Sequence, residues 1–217
     1  IENEGWINPR RFIKKLEILL ESYENINFIK QDANKLFYEK SHIKYVLVGE
    51  NEKIFADKFV IAAGSSSYEI IKRSSLPIRI PRIFYGVGVS IELKCDENPP
   101  TNCIRTPNRG LACGIYTAPY SNKNLSFKNH MLLGATNLLS ASPIYNPKVT
   151  NVETLLKALI EQINHNLYRA EIVRINLGWR PITEDTFPLI GESEISNLIF
   201  FTGTNRDGFH KAPIYSE

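Results

Sequence analysis

The last forty residues of the chain hold the groups best suited to chemistry. Gly178-Trp179-Arg180-Pro181 is followed by an apolar run at 197–202 and then by Gly203-Thr204-Asn205-Arg206-Asp207-Gly208-Phe209-His210. This order predicts a strand, a turn bounded by two glycines and the start of a helix. The free N–H groups of a helix start can hold an anion or an electron-rich oxygen, and glycines let a flat ligand approach the backbone. The alternative is a loop that leads into a helix and needs its glycines only for conformation.

Other motifs for catalysis or metal binding are missing from the sequence. Gly86-Val87-Gly88 lacks the third glycine of a dinucleotide loop and lies in a strand pattern that does not open a helix. No Walker loop, G-x-S-x-G elbow or plausible Ser-His-Asp order is present. The three cysteines, Cys95, Cys103 and Cys113, lack C-x-x-C spacing, and the four histidines are scattered. We therefore expect no metal site and interpret the cysteines as free thiols in a reducing compartment, the cytoplasm.

Composition is that of an ordinary globular protein. The 217 residues include 43% hydrophobic and 23% charged side chains, which excludes a disordered, collagen-like or coiled-coil chain. The formal net charge of +3 is too small to indicate nucleic-acid binding. No apolar run approaches the ~20 residues that span a bilayer, and no secretory signal pattern is present.

Helices and strands that would carry these residues can be predicted from periodicity. Asn8-Pro9 predicts a helix start, and apolar residues then recur at helical spacing as far as Tyr23. A second helix is predicted from Thr150 to Tyr168, with Thr150 and Glu153 as a capping box and an apolar stripe packed on a sheet. Strands are predicted at 27–30, 35–39, 43–48, 83–93, 113–118, 131–135, 172–177 and 197–202, those of the middle region forming a mainly antiparallel sheet.

One further strand has a different character. Phe59-Val60-Ile61-Ala62-Ala63 is continuously apolar and runs into Gly64-Ser65-Ser66-Ser67. Such a run predicts a strand that is buried on both faces of a parallel sheet. The carboxyl end of such a strand is where ligands of open α/β sheets bind. A core strand followed by a tight turn is the alternative.

Taken together, these stretches resemble the D-amino acid oxidase (DAO) superfamily of FAD enzymes, in particular its glycine oxidase and sarcosine oxidase branch. Four stretches carry the resemblance: residues 5–10, residues 56–64, Gly178-Trp179-Arg180-Pro181 with Pro188-Leu189-Ile190-Gly191, and residues 203–213. Their order and spacing match the family over almost the whole chain. The resemblance implies an α+β / α/β fold: part of an interleaved FAD-binding domain plus a substrate domain with a mixed, mainly antiparallel sheet.

The resemblance also implies a cofactor site. FAD would be bound non-covalently, because none of the three cysteines lies near the motif at which some branches attach flavin. The residues implied in FAD binding are Ala33, Ala63, Gly64, Gly203, Arg206, Asp207, Gly208 and Phe209. Gly208 and Phe209 would offer backbone N–H groups to the flavin pyrimidine oxygen. Arg206 would line the substrate entrance or balance charge on reduced flavin, and a solvated loop arginine is the alternative.

Three residues are implied in holding an amino acid or secondary amine while its C–N bond is oxidised by hydride transfer to flavin. The guanidinium of Arg180 would bind a carboxylate through a bidentate pair of hydrogen bonds; the alternative is that Arg180 forms a structural or surface salt bridge. Tyr116 would place a phenol near the substrate carboxylate, or be a core tyrosine. His210 would bind substrate in its charged form, or cap or pack the helix.

The sequence lacks the first element of the family, the strand–GxGxxG–helix unit that binds ADP. The resemblance implies that this unit lies upstream of Ile1. The resemblance therefore implies a C-terminal fragment, inactive alone, that binds the missing segment or associates with itself. Residues 1–75 and 179–217 would belong to the FAD domain and residues 76–178 to the substrate domain. Two alternatives remain open: an FAD dehydrogenase with a non-oxygen acceptor, and a non-catalytic binding module that retains the fold.

Overall fold

The computed structural model describes residues 6–96, 99–107, 114–120 and 129–216. Its helices are α1 (Pro9–Glu21), α2 (Ser67–Ser74), α3 (Val149–Gln162) and α4 (Gly208–Tyr215). Its strands are β1 (Ala33–Glu39), β2 (His42–Val48), β3 (Glu52–Ile54), β4 (Phe59–Ile61), β5 (Ile83–Lys94), β6 (Ile104–Arg105), β7 (Tyr116–Pro119), β8 (His130–Gly134), β9 (Leu138–Ser140), β10 (Glu171–Thr183), β11 (Leu189–Glu192) and β12 (Leu198–Thr202).

The chain separates into two compact units. The first contains Ile1–Ile29, Gly88–Asn137 and Ile144–Gly178, and the second contains Lys30–Val87, Leu138–Pro143 and Trp179–Glu217. Helices combined with both antiparallel and parallel strand pairs confirm the predicted α+β / α/β class. The assignment of FAD-binding and substrate roles to residues 1–75, 76–178 and 179–217 stays a prediction, since compactness does not identify a ligand.

The core of the first unit lies between an antiparallel sheet and α3. β5 pairs with β8 and β8 with β7, in a sheet ordered β10, β5, β8, β7, β6. Val89, Ile91 and Leu93 point to one side of β5 and pack with Leu155 and Leu159 of α3, which confirms the predicted packing of the apolar stripe.

The start of α3 differs from the prediction. Its N-cap position is Lys148, whose N–H donates to Asn151 Oδ1 at 3.0 Å. The Thr150–Glu153 capping box is therefore wrong: the helix begins one residue before Thr150, and an amide at the third helical position meets the cap. The helix also ends early, at Gln162, and a short 3-10 segment at His165–Arg169 follows.

Helix α1 of the first unit begins where the sequence predicts. Asn8 Oδ1 accepts from Arg11 N at 3.2 Å, and Pro9 occupies the first helical position. The helix buries none of its residues; Phe12 is 43% exposed and Leu19 is 53% exposed. None of the described helices is long and apolar enough to cross a bilayer.

The second unit contains the predicted parallel strand. β4 pairs in parallel with β12, Phe59 opposite Leu198, and β11 pairs antiparallel with β12. Phe59 and Ile61 are buried, but Val60 is 58% exposed, so the expected burial of this strand on both faces is wrong. Its side chains alternate in burial because successive residues of a strand point to opposite faces of the sheet, and the described residues cover only one of these faces. Gly64–Ser66 forms a short 3-10 segment, and Ser67 begins α2, a helix that the periodicity did not predict.

A three-stranded antiparallel sheet, β1-β2-β3, completes the second unit. Asn197 fixes it to the parallel strands: its Oδ1 accepts from Ile43 N at 2.8 Å, and its Nδ2 donates to Ile43 O at 2.9 Å. Leu36 N donates to Ser74 Oγ of α2 at 2.9 Å. The strand predicted at 27–30 is wrong, because this extended stretch pairs with no described strand and leaves Phe28 and Ile29 exposed.

Candidate functional site

The carboxyl ends of the parallel strands β4 and β12 lie side by side in the second unit. Thr202, the last residue of β12, donates from Oγ1 to the carbonyl oxygen of Gly64 at 3.0 Å. Ser67 Oγ donates in turn to Thr202 Oγ1 at 3.2 Å. Thr202 is 2% exposed and Ser67 is fully buried. This short chain of hydrogen bonds fixes the two strand ends relative to each other.

Backbone at the end of β4 faces open space. Gly64 has φ +56°, and a Cβ built on it would meet no atom within 4 Å. Ala63 beside it is exposed. The chain then turns into the 3-10 segment Gly64–Ser66 and helix α2. The main chain at Gly64 is therefore open on the side where a Cβ would stand, and binding of a ligand at this strand end stays a prediction.

The loop after β12 has the predicted strand, turn and helix order. Gly203 has φ +74°, and a Cβ on it would come within 2.6 Å of Thr183 Cγ2, so only glycine fits. Asp207 N then donates to Thr204 O at 2.9 Å, and α4 begins at Gly208. The N–H groups of the first turn of α4, among them those of Gly208 and Phe209, lie at the positive end of the helix dipole.

Arg180 is joined to this loop through its own strand. Asn205 N donates to Pro181 O at 2.9 Å, and Ile182 forms an isolated antiparallel bridge with Thr204. Arg180 itself is half-buried on β10. The structure therefore brings the residue predicted to clamp a carboxylate next to the loop predicted to meet the cofactor.

Charges around the start of α4 are partly paired. Lys211 Nζ lies 2.9 Å from Asp207 Oδ2, and this hydrogen bond lowers the pKa of Asp207 and raises that of Lys211. Asp207 is thus ionised at neutral pH and already paired along the helix. Arg206 and His210 are exposed on the same segment.

Two predicted site residues lie elsewhere. Tyr116 belongs to the first unit, on β7, where its ring packs against Gly134 so closely that a Cβ on that glycine would overlap it. Ala33 starts β1, which belongs to the other sheet of the second unit. Sequence reasoning missed Thr202 and Ser67; their only signal is a hydroxyl residue directly before Gly203 and a serine run after Gly64.

Metal ligands do not cluster in the described residues: no group of three or more His, Cys, Asp or Glu side chains could hold an ion there.

Comparison with known proteins gives a family and a fold. The model of the family described as "DAO: FAD dependent oxidoreductase" matches residues 1–217. The bifunctional protein ThiO/ThiG of Trichormus variabilis (strain ATCC 29413 / PCC 7937) is 28% identical over 163 residues, 74% of this chain and 22% of that protein. The corresponding protein of Nostoc sp. (strain PCC 7120 / SAG 25.82 / UTEX 2576) is 29% identical over the same length.

Solved structures resemble the chain in fold. Glycine oxidase from Bacillus cereus ATCC 14579 superposes with a TM-score of 0.69 at 20% identity, covering 87% of this chain and 48% of that one. Iminodiacetate oxidase from Chelativorans sp. BNC1 gives 0.70 at 18% identity, covering 86% and 47%. The chain thus spans about half the length of these structures and about a fifth of the length of the curated relatives.

Proposed function

Because this chain belongs to the DAO family of FAD-dependent oxidoreductases, we propose that it is the C-terminal part of an enzyme that oxidises the C–N bond of an amino acid or secondary amine. The chemistry that FAD supplies when bound is two-electron oxidation of that bond by hydride transfer. The protein's part is to bind the substrate, orient it and stabilise charge.

The strand ends of β4 and β12 fit such a cofactor. The open space in front of Gly64 leaves room for a flat ring system against the backbone. The N–H groups at the start of α4 suit the negative charge that builds on the flavin during reduction. The residues proposed to hold FAD are Ala63, Gly64, Gly203, Arg206, Asp207, Gly208 and Phe209, with Ala33 as a more distant contact.

Arg180 is proposed to clamp the substrate carboxylate. The observation that carries the proposal is the link between its strand and the loop before α4, through Asn205 N to Pro181 O and the Ile182–Thr204 bridge. A guanidinium held beside the cofactor loop would present two parallel N–H donors to a carboxylate and so orient the neighbouring C–N bond. His210 is proposed as an additional contact to the same carboxylate, and the role of Tyr116 in substrate binding stays a prediction.

Two further proposals concern the whole protein. A complete FAD site would need a segment outside these 217 residues, since the chain spans about half of the glycine oxidase structure, β4 is the outer strand of its described sheet and Val60 is 58% exposed. The 217-residue chain alone would then be inactive. A reducing compartment, the cytoplasm, is proposed because Cys95 and Cys103 are both free thiols; Cys113 lies outside the described residues.

An anaerobic substrate panel tests the proposed activity. The full-length protein, loaded with FAD, is mixed with amino acids and N-methyl amino acids, and the flavin absorbance is followed. Bleaching by one of these classes is expected and would identify the substrate class. Bound flavin that no amino acid or secondary amine bleaches would contradict the proposed reaction, and failure to bind flavin would contradict the proposed cofactor site.

A further inference from the structure

Gly86 of β5 lies directly against the segment of β10 that carries Arg180, within the second unit. A Cβ built on this buried glycine would lie 2.6 Å from Ile182 Cδ1, 3.1 Å from Ile182 Cγ1 and 3.2 Å from Arg180 Cβ. Because Gly86 has no side chain, it leaves a space beside β5. The Ile182 side chain packs into this space, and the Cβ of Arg180 lies next to it.

The neighbouring residues of the two strands also interlock. The rings of Tyr85 and Trp179 meet edge to face, with centroids 5.5 Å apart and planes at 83°. Tyr85 precedes Gly86 and Trp179 precedes Arg180, so contacts on both sides of the strand pair fix the same short segment of β10. Such edge-to-face aromatic pairs are favourable and directional, which restricts how far the two strands can slide past each other.

We propose that Gly86 is a positioning residue for Arg180; the inference rests on the proposed role of Arg180 as the carboxylate clamp. A methyl group at position 86 could displace the end of the Ile182 side chain. The Cβ of Arg180 is attached to the backbone, however, so β10 itself would have to move by a few tenths of an ångström. The guanidinium lies at the end of a long side chain, so a small tilt of the backbone displaces it by more than the Cβ moves; because substrate clamps must be held within about 0.5 Å of their productive geometry, carboxylate binding would weaken.

Ligand binding to the FAD-loaded, full-length protein tests this inference. Acetate serves as a minimal carboxylate and acetamide as its neutral isostere, and each is titrated while the flavin spectrum is followed. Gly86→Ala should weaken acetate binding by about tenfold and leave acetamide binding within about twofold of wild type. Adding Ile182→Ala in the same protein removes two of the three close contacts but leaves the one with Arg180 Cβ, so most of the loss of acetate affinity should remain.

Gly178→Ala is the matched control, because a Cβ at this glycine of β10 meets no atom within 4 Å; its acetate affinity should equal that of wild type. The inference is overturned if Gly86→Ala binds acetate normally, if it weakens acetate and acetamide equally, or if Ile182→Ala restores the full acetate affinity, which would mean that the contact with Arg180 Cβ has no effect. Arg180→Lys separates the two ideas. If this variant binds acetate as tightly as wild type, or if wild type shows no response to acetate, the proposed role of Arg180 fails and the inference with it. If Arg180→Lys weakens acetate but Gly86→Ala does not, only the inference fails.

Discussion

The hydroxyl of Thr202 donates a hydrogen bond to the carbonyl oxygen of Gly64 at 3.0 Å, across 138 residues of chain. It joins the ends of two parallel strands, β12 and β4, at the point where each turns toward a helix. The backbone around both ends includes the glycines proposed to lie against the flavin. The relative position of these glycines thus depends on one buried hydroxyl group.

Replacing Thr202 by valine keeps the shape of the side chain and removes that hydroxyl. The Gly64 carbonyl and the Ser67 hydroxyl would both lose a buried partner, which should lower the free energy of unfolding by about 1–3 kcal/mol. The ratio of bound FAD to protein should also fall, because the two strand ends are no longer fixed. Urea unfolding and flavin absorbance measure the two effects. Thr202→Ser retains the hydroxyl, and equal results for the two variants would show that the hydrogen bond contributes nothing.

An ion pair in the first unit predicts an asymmetric pair of mutants. Arg10 Nη1 lies 3.3 Å from Glu92 Oε1, and the Arg10 side chain is 57% exposed whereas that of Glu92 is 3% exposed. Asn176 Nδ2 also donates to Glu92 Oε1, at 3.0 Å. Removal of Arg10 leaves a buried carboxylate without its counter-charge, but removal of the carboxylate charge leaves an arginine that water can solvate.

We therefore expect Arg10→Met to destabilise the protein by about 2–3 kcal/mol and Glu92→Gln by about 1 kcal/mol. Chemical denaturation of both variants under one set of conditions provides the comparison. The opposite order, with Glu92→Gln the more damaging variant, would mean that the buried carboxylate is held by its other partners and not by Arg10.

Tyr120 lies close to Arg10 and Glu92, and it should make the free energy of unfolding fall as the pH becomes alkaline. Burial, followed by the nearby Glu92 carboxylate, raises the pKa of Tyr120 above the usual phenol value. Because the folded-state pKa exceeds the unfolded one, this stabilisation is complete below about pH 10 and is lost as pH rises through the folded-state value. Tyr120→Phe should therefore show a smaller loss of unfolding free energy between pH 9 and pH 11 than wild type. Identical losses in the two proteins would contradict the shift.

The isolated 217-residue chain should associate with itself. α1 buries none of its residues, and its apolar side chains, with Phe12 at 43% and Leu19 at 53% exposure, form a surface that water solvates poorly. Light scattering should show oligomers or aggregates. Leu16→Glu and Leu19→Glu, placed on this exposed stripe, should shift the population toward monomer, while a monodisperse wild-type monomer would contradict the prediction.

Local patterns predicted the elements whose causes are local. Asn8-Pro9 gives the start of α1, and the glycine-bounded turn at 203–208 precedes a helix as expected. The resemblance to the DAO family is confirmed by the match of the family model to residues 1–217. The wrong predictions have a different cause, which is the lack of a described neighbour: the strand at 27–30 has no partner strand, and Val60 lies on a face of its sheet that no described residue covers.

Contacts between distant parts of the chain could not be predicted from spacing. The Thr202–Gly64 bond and the fit of Ile182 against Gly86 depend on which strands become neighbours. In the sequence Gly86 looks like half of a Gly-x-Gly motif, because a glycine that makes room for another strand cannot be told from any other glycine. The roles of Arg180, Tyr116 and His210 stay predictions, since they concern a ligand.

Under the proposed function, Arg180 holds the carboxylate of an amine substrate beside flavin. The most direct test measures anaerobic flavin bleaching in the full-length protein as a function of substrate concentration, for wild type and for Arg180→Lys, with Arg73→Lys as a control at an exposed arginine of α2. We expect Arg180→Lys to raise the substrate concentration that gives half-maximal bleaching at least tenfold, because lysine keeps the positive charge but cannot form bidentate hydrogen bonds to the carboxylate. Bleaching by Arg180→Lys with the wild-type concentration dependence would contradict the claim.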